Sequence, residues 1–170
     1  MDLEHFHRRA QRNRRRLRAF LQKLDEIVPE DFQPLVDATD TAVWQETDCT
    51  TCAHCCKAMT PTYNAADLRR IARHFGVTVA ALQAQWLRKD ADNGDWVNRE
   101  TPCPFLQADD RCSIYAIRPL DCAEFPHHNK KPFDAWNDTF IGNVDKCPAT
   151  FELVHRLEKA VAAGWDFPET

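Results

Sequence analysis

Four cysteines stand within eight residues of this chain, in the run CTTCAHCC at positions 49 to 56, and that run limits what the chain can fold into more than any other stretch. Cys49, Cys52, Cys55 and Cys56 need partners for their sulfurs, and each kind of partner implies a different architecture. Disulfides would staple loops, a metal ion would draw ligands into a tetrahedron, and a redox pair or nucleophile would leave a thiol accessible. At 170 residues the chain is long enough to bury an ordinary core, so small size does not force it to rely on disulfides. Its 44% apolar and 28% charged content is that of a globular protein, and no apolar run reaches the roughly eighteen residues that span a bilayer. The N-terminal MDLEHFHRRAQRNRRRLRAF is basic but lacks the apolar stretch and small-residue cleavage site of a secretory signal, which predicts a cytoplasmic location and no membrane partner. In that reducing compartment, clustered cysteines bind metal or act catalytically more often than they form disulfides.

The other four cysteines, Cys103, Cys112, Cys122 and Cys147, are dispersed. Eight thiolates suffice for two tetrahedral four-sulfur sites, or for one iron–sulfur cluster with four to spare. The two-residue gaps of Cys49, Cys52 and Cys55, and the pairs Cys103-Pro104 and Cys147-Pro148, are features of bacterial ferredoxin motifs, yet the cysteine expected at position 59 is replaced by Met59. Zinc tolerates irregular spacing provided four ligands meet, so spacing puts one or two zinc ions slightly ahead of iron or an iron–sulfur cluster. If residues 52 to 56 are helical, Cys52 and Cys56 share a face while Cys55 points about 100° away from Cys56. The adjacent pair then suits the meeting of two sites, with Cys49, Cys52 and Cys56 joined by one dispersed cysteine and Cys55 by the other three.

The fold class implied is α+β, mainly α, with an irregular cysteine-rich core of short extended segments flanked by helices. Residues 2 to 28 read as one helix, with Leu3, Phe6, Ala10, Asn13, Leu17, Phe20, Leu24 and Ile27 at alternating steps of three and four, stopped by Pro29 and Pro34. A helix docked on its own domain is preferred over a partner-binding coiled coil. Residues 1 to 28 carry seven arginines and Lys23 against four acids, a balance of +4 on a chain of net charge −4. That field admits an acidic protein partner, and nucleic acid less readily, because no aromatic side chains interleave with the arginines to stack bases. Asn64, Asp67 and Gly76 bracket a helix with Leu68, Ile71, Ala72 and Phe75 on its buried stripe, and Thr78 starts a second. TPCPFL and CSIY form at most a small hairpin, since Pro102 and Pro104 exclude a central strand. A last helix is predicted over residues 149 to 163, beside the first. The domain layout expected is a basic helix over 1–28, a metal-chelating domain over 45–150 and the C-terminal helix packed on that domain.

Other candidates for chemistry are fewer. His127 or His128, which with Glu124 follow Cys122, offers a ligand for an open coordination position, but adjacent histidines diverge and a solvated loop is the preferred reading. His54 is preferred as a bystander to the cluster rather than a ligand. No histidine–asparagine arrangement of a cysteine hydrolase is readable, so a non-catalytic role is favoured over an enzyme. Lys57, Arg111, Arg118 and Lys146 lie within four residues of a cysteine, and Arg118 is the cation expected to offset thiolate charge.

CTTCAHCC, followed by CPFLQADDRCSIYAIRPLDCAEFP and a late Cys-Pro, resembles the CxxCxxCC family, the YkgJ-type cysteine-cluster proteins described as zinc- or iron-chelating, over about residues 45 to 150. The resemblance implies that Cys49, Cys52, Cys55, Cys56, Cys103, Cys112, Cys122 and Cys147 are metal ligands, and that Tyr115, Arg118, Pro119, Phe125 and Pro126 form a structural signature. It departs at Ala53-His54, where a glycine is common, and at Ala123-Glu124, where a basic residue is common. The function it implies is metal chelation with the ion in a structural role. The alternatives are an iron–sulfur enzyme of redox or methyl-transfer type and a zinc-stabilised adaptor that uses the arginine-rich helix.

Overall fold

The computed structural model describes residues 2–164, so residue 1 of the basic arm and residues 165–170 lie outside it. In chain order the elements are α1 (Leu3–Leu24), α2 (Phe32–Glu46), α3 (His54–Ala58), β1 (Thr62–Tyr63), α4 (Ala65–Phe75), α5 (Val79–Trp86), β2 (Leu87–Lys89), β3 (Trp96–Asn98), α6 (Leu120–Glu124), α7 (Asn137–Asn143) and α8 (Pro148–Ala162). Single 3-10 turns lie at Cys49–Thr51, Tyr115–Ile117 and Asp134–Trp136. The class is α+β, mainly α, as expected. The chain divides into two compact units, one of residues up to Asp48 together with those from Pro126 onward, the other Cys49–Phe125.

The first unit is helical. Asp2 caps α1 by accepting from the His5 backbone N–H, and Phe6, Ala10, Leu17, Leu21 and Leu24 form its buried face. This is the stripe of an ordinary amphipathic helix rather than a heptad seam. Leu21 is buried in place of the predicted Phe20, and Ile27 lies beyond the helix, 76% exposed. The face packs on α7 and α8, with the Phe6 ring edge-on to Phe151 at 5.9 Å between centroids. The Asn13 side chain donates to the Arg9 carbonyl at 2.8 Å.

Helix α2 departs from the expectation that Pro34 ends helical structure. Pro34 is the third residue of α2, where a backbone N–H has no acceptor within the helix in any case, and its ring costs nothing there. Leu35, Val36 and Val43 bury the helix against its unit, chiefly on α8. Below them Phe133 and Phe140 stack at 4.0 Å, and both are fully buried.

Charge on α1 is answered within the same unit. Arg9 pairs with Glu152 and Arg16 with Glu158, while Arg14 and Arg18 both reach Asp145, at 2.9 and 3.3 Å. Four of the seven arginines are thus committed to α8 and to Asp145 between α7 and α8, which removes much of the free positive field that a nucleic-acid arm would need.

In the second unit, Asn64 and Asp67 form the predicted capping box of α4, Gly76 ends it in the left-handed conformation at φ 66°, and Thr78 caps α5. The three strands make an antiparallel sheet of order β1-β3-β2, with Thr62 opposite Val97 and Arg88 also opposite Val97 on the other side. Tyr63, Leu68, Ile71, Leu82, Leu87, Phe105 and Ile114 form its core. Phe75, predicted as buried, is 38% exposed. The hairpin expected around TPCPFL and CSIY is reduced to one antiparallel bridge, Leu106 to Cys112, closed by Ser113 N–H donating to the Phe105 carbonyl at 2.9 Å. Pro102 and Pro104, which cannot donate to a ladder, account for its shortness.

The position of α1's apolar face is testable by denaturation in urea. Leu17→Ala removes a fully buried side chain and is expected to cost about 3 kcal/mol, whereas Ile27→Ala is expected to change stability by less than about 0.5 kcal/mol. Equal losses would restore the heptad seam.

Candidate metal centre

The cysteines reach the site from separate pieces of backbone. Cys49 opens a 3-10 turn and is exposed; Cys52 follows it, half-buried, with its N–H donating to the Cys49 carbonyl at 3.2 Å. Ala53 then turns left-handed at φ 49°, a conformation that costs a residue with a Cβ roughly 1–2 kcal/mol and explains why glycine would suit this position. The turn delays the helix, so that α3 begins at His54 and carries Cys55 and Cys56 but not Cys52. The expected helical face shared by Cys52 and Cys56 therefore does not exist. Cys103 and Cys112 lie on the two arms around the Leu106–Cys112 bridge, and Cys122 lies in α6. Cys147 is the buried residue preceding α8, in the helical unit.

Cys56 meets three of the dispersed cysteines. Its carbonyl accepts the Cys103 N–H at 2.7 Å, and its thiol acts electrostatically on Cys103, Cys112 and Cys122. The two vicinal sulfurs are 3.9 Å apart.

Each thiol's ionisation has a distinct cause. Hydrogen bonding with Cys55 brings Cys56 down to about 7 against the effect of burial, helped by its own backbone N–H and Lys57 and opposed by Asp110. Lys57 and Asp110 pair at 2.7 Å, so their contributions largely offset each other. Burial raises Cys103, Cys112 and Cys122, and neighbouring thiols raise them further. Opposing that rise, the Phe105 backbone N–H bonds to Cys103 and the Ile114 backbone N–H to Cys112. In both cases the donor is two residues after the cysteine, an arrangement that favours thiolate. Arg118 also favours the Cys112 thiolate, in line with its expected role, while its guanidinium lies over the Tyr115 ring at 4.1 Å.

One carboxylate organises the backbone beneath Cys122. Asp67 is 1% exposed and accepts from the Asn64 N–H at 3.2 Å, from Arg70 at 2.6 Å and from the Leu120 N–H at 3.2 Å. Arg70 in turn donates to the carbonyls of Ile117 and Arg118. Asp121 accepts the Thr62 N–H at 2.9 Å, so that α6 is tied both to α4 and to β1. From the sequence, Asp67 is visible only as a helix cap; its second partner, Leu120, is 53 residues away.

The histidines take other places. His54 is half-buried at the start of α3, and His127 is half-buried with φ 71°. His128, expected in a solvated loop, is buried in the helical unit with Nδ1 2.7 Å from Asp40 and Nε2 3.0 Å from the Thr150 hydroxyl. Both ring nitrogens are occupied by protein, which leaves neither for a metal. Among the described residues no three histidine, cysteine or acidic side chains are gathered closely enough to hold an ion. The donor chemistry nevertheless fits one: soft sulfurs from four segments lie within one another's fields, and amide donors already address two of them.

Residues 48–141 match the model of a family described as "CxxCxxCC: Putative zinc- or iron-chelating domain". The chain belongs to the CxxCxxCC family. No curated protein and no solved structure matches it. The CxxCxxCC match takes in the whole cysteine unit and stops short of Cys147.

The Asp67 clamp carries a measurable load. Asp67→Ala leaves the Leu120 and Asn64 N–H groups and the Arg70 guanidinium without their acceptor, and is expected to cost about 2–3 kcal/mol in urea denaturation. A loss under about 0.5 kcal/mol would mean that α6 is held by other contacts.

Proposed function

We propose that this protein chelates zinc through Cys56, Cys103, Cys112 and Cys122, and that the ion is structural. The observation that carries this reading is the mutual electrostatic reach of those four thiols, drawn from α3, both sides of the Leu106–Cys112 bridge and α6. Burial makes each of the three dispersed thiols harder to ionise, and a divalent cation is the partner that would reverse that penalty. Four thiolates on a divalent ion leave a formal charge of −2, toward which the Phe105 and Ile114 amides and Arg118 are placed to contribute. Zinc is preferred to iron because its only demand is a tetrahedral meeting of ligands, which irregular spacing does not prevent. Cys49 is exposed, Cys52 precedes α3 and Cys55 lies within it beside Cys56. The chelating domain in this reading is Cys49–Phe125, and an adaptor role for α1 draws no support from arginines that are paired within their own unit.

Anaerobic purification followed by metal analysis and visible absorption tests the proposal. The expected product is colourless, with at least about one zinc per chain, lost in Cys103→Ser and Cys122→Ser and retained in Cys147→Ser. Brown protein with acid-labile sulfide would replace the zinc site by an iron–sulfur cluster. Removing zinc with a chelator is expected to lower the melting temperature, because an ion that assembles the site contributes to folding; an unchanged melting temperature would deny the structural role.

A further inference from the structure

The outer face of α1 carries charge that its own unit does not answer. At about 100° per residue, the buried Phe6, Ala10, Leu17, Leu21 and Leu24 define one side of the helix, while Arg8, Arg12, Arg15 and Ala19 fall within about 60° of one another on the opposite side. Arg9 and Arg16, paired with Glu152 and Glu158, flank that sector along one edge. Arg14 and Arg18, which share Asp145, flank it along the other. The acids of the unit thus engage the arginines at the sides and leave the outermost three, Arg8, Arg12 and Arg15, exposed. Arg8 meets Glu4 at 3.7 Å, on a side chain that is 90% exposed, and Arg12 donates to the Arg8 carbonyl at 3.2 Å. Among the described residues no acid pairs with Arg12 or Arg15.

Such a face repels itself. Arg8 and Arg12 stand four residues apart and Arg12 and Arg15 three, the spacings at which like charges on a helix lie close. A solvated helix face ordinarily relieves this with charges of alternating sign, yet Glu4 is the one acid among the 22 residues of α1. An anionic partner relieves it instead, and the chemistry of the face selects which. The core of a protein interface needs apolar or aromatic anchors, and the sector holds only arginines and Ala19. The apolar side of α1 is buried in its own unit, so the helix has no side to lay into a membrane interface. No aromatic ring in the sector stacks single-stranded bases, and a patch about 10 Å long is too short to span the two minor grooves by which duplex RNA is read. Closely spaced phosphates, which guanidinium groups clasp, remain. The geometry points to the Arg8–Arg12–Arg15 face of α1 as a weak, sequence-independent binding surface for the phosphate backbone of double-stranded DNA. Over about 10 Å the duplex presents about six phosphates, so three guanidinium groups find partners without a fixed register. The surface lies in the helical unit and does not depend on the chelation reading.

Fluorescence anisotropy of a labelled DNA duplex titrated with the full chain tests this. Three phosphate contacts predict that the logarithm of affinity falls against the logarithm of salt with a slope of about −2.7, a loss of about fortyfold between 50 mM and 200 mM salt. Arg8→Ala, Arg12→Ala and Arg15→Ala are each expected to reduce that slope by about one, and the three together to abolish binding. Arg8→Lys, Arg12→Lys and Arg15→Lys combined are expected to retain it, because release of counterions needs the charge alone. All three side chains are exposed, so every variant is expected to keep the circular dichroism of the wild type. No anisotropy change at 50 mM salt with about 100 μM protein overturns the inference, and so does binding that survives in the triple alanine variant. Tighter binding of duplex RNA than of DNA, or binding to phosphatidylserine-containing vesicles with none to DNA, likewise overturns it.

Discussion

The buried carboxylate of Asp67 is the contact on which the cysteine unit depends. It closes the capping box of α4, takes the first N–H of α6 and holds Arg70, which in turn grips the carbonyls of residues 117 and 118. A helix as short as Leu120–Glu124 has too few internal hydrogen bonds to hold its own orientation. Asp67 supplies the missing constraint, and Asp121 adds a second through Thr62. Cys122 therefore rides on a piece of backbone fixed by carboxylates rather than by apolar packing; Leu120, at its start, is 51% exposed.

The buried thiols resist the ionised form that metal binding requires. Burial and mutual repulsion both resist ionisation of Cys103, Cys112 and Cys122, while Cys56 ionises more readily. Against this the unit sets directed donors: the amides of Phe105 and Ile114 and the Arg118 charge. Neutral thiols gain little from such donors, whereas thiolates gain a great deal. Donors built in advance around sulfurs that resist charge are what a thiolate metal site requires of its surroundings.

What was legible in the sequence is what depends on neighbouring residues. Asn64, Asp67 and Gly76 announce α4 because capping acts within four residues, and the mainly helical α+β class follows from such local signals. The family, too, could be read from the spacing of CTTCAHCC and the later cysteines. The missed α2 turned on one residue, Pro34, whose effect depends on whether it stands in the first turn or the interior of a helix. The left-handed backbone of Ala53 sets where α3 begins, and a residue with a Cβ does not announce that conformation in the sequence. The buried Asn98 gives no sequence signal, because its partner Tyr63 lies in another strand. The arginine-rich helix was legible as charge but not as paired charge, since Asp145, Glu152 and Glu158 lie more than a hundred residues away.

The central claim is that four sulfurs from α3, the Leu106–Cys112 bridge and α6 converge on one ion. X-ray absorption at the zinc edge of the anaerobically purified protein tests it most directly. The account predicts a coordination shell of four sulfurs at about 2.3 Å, and a shell containing nitrogen or oxygen ligands at about 2.0–2.1 Å would contradict it.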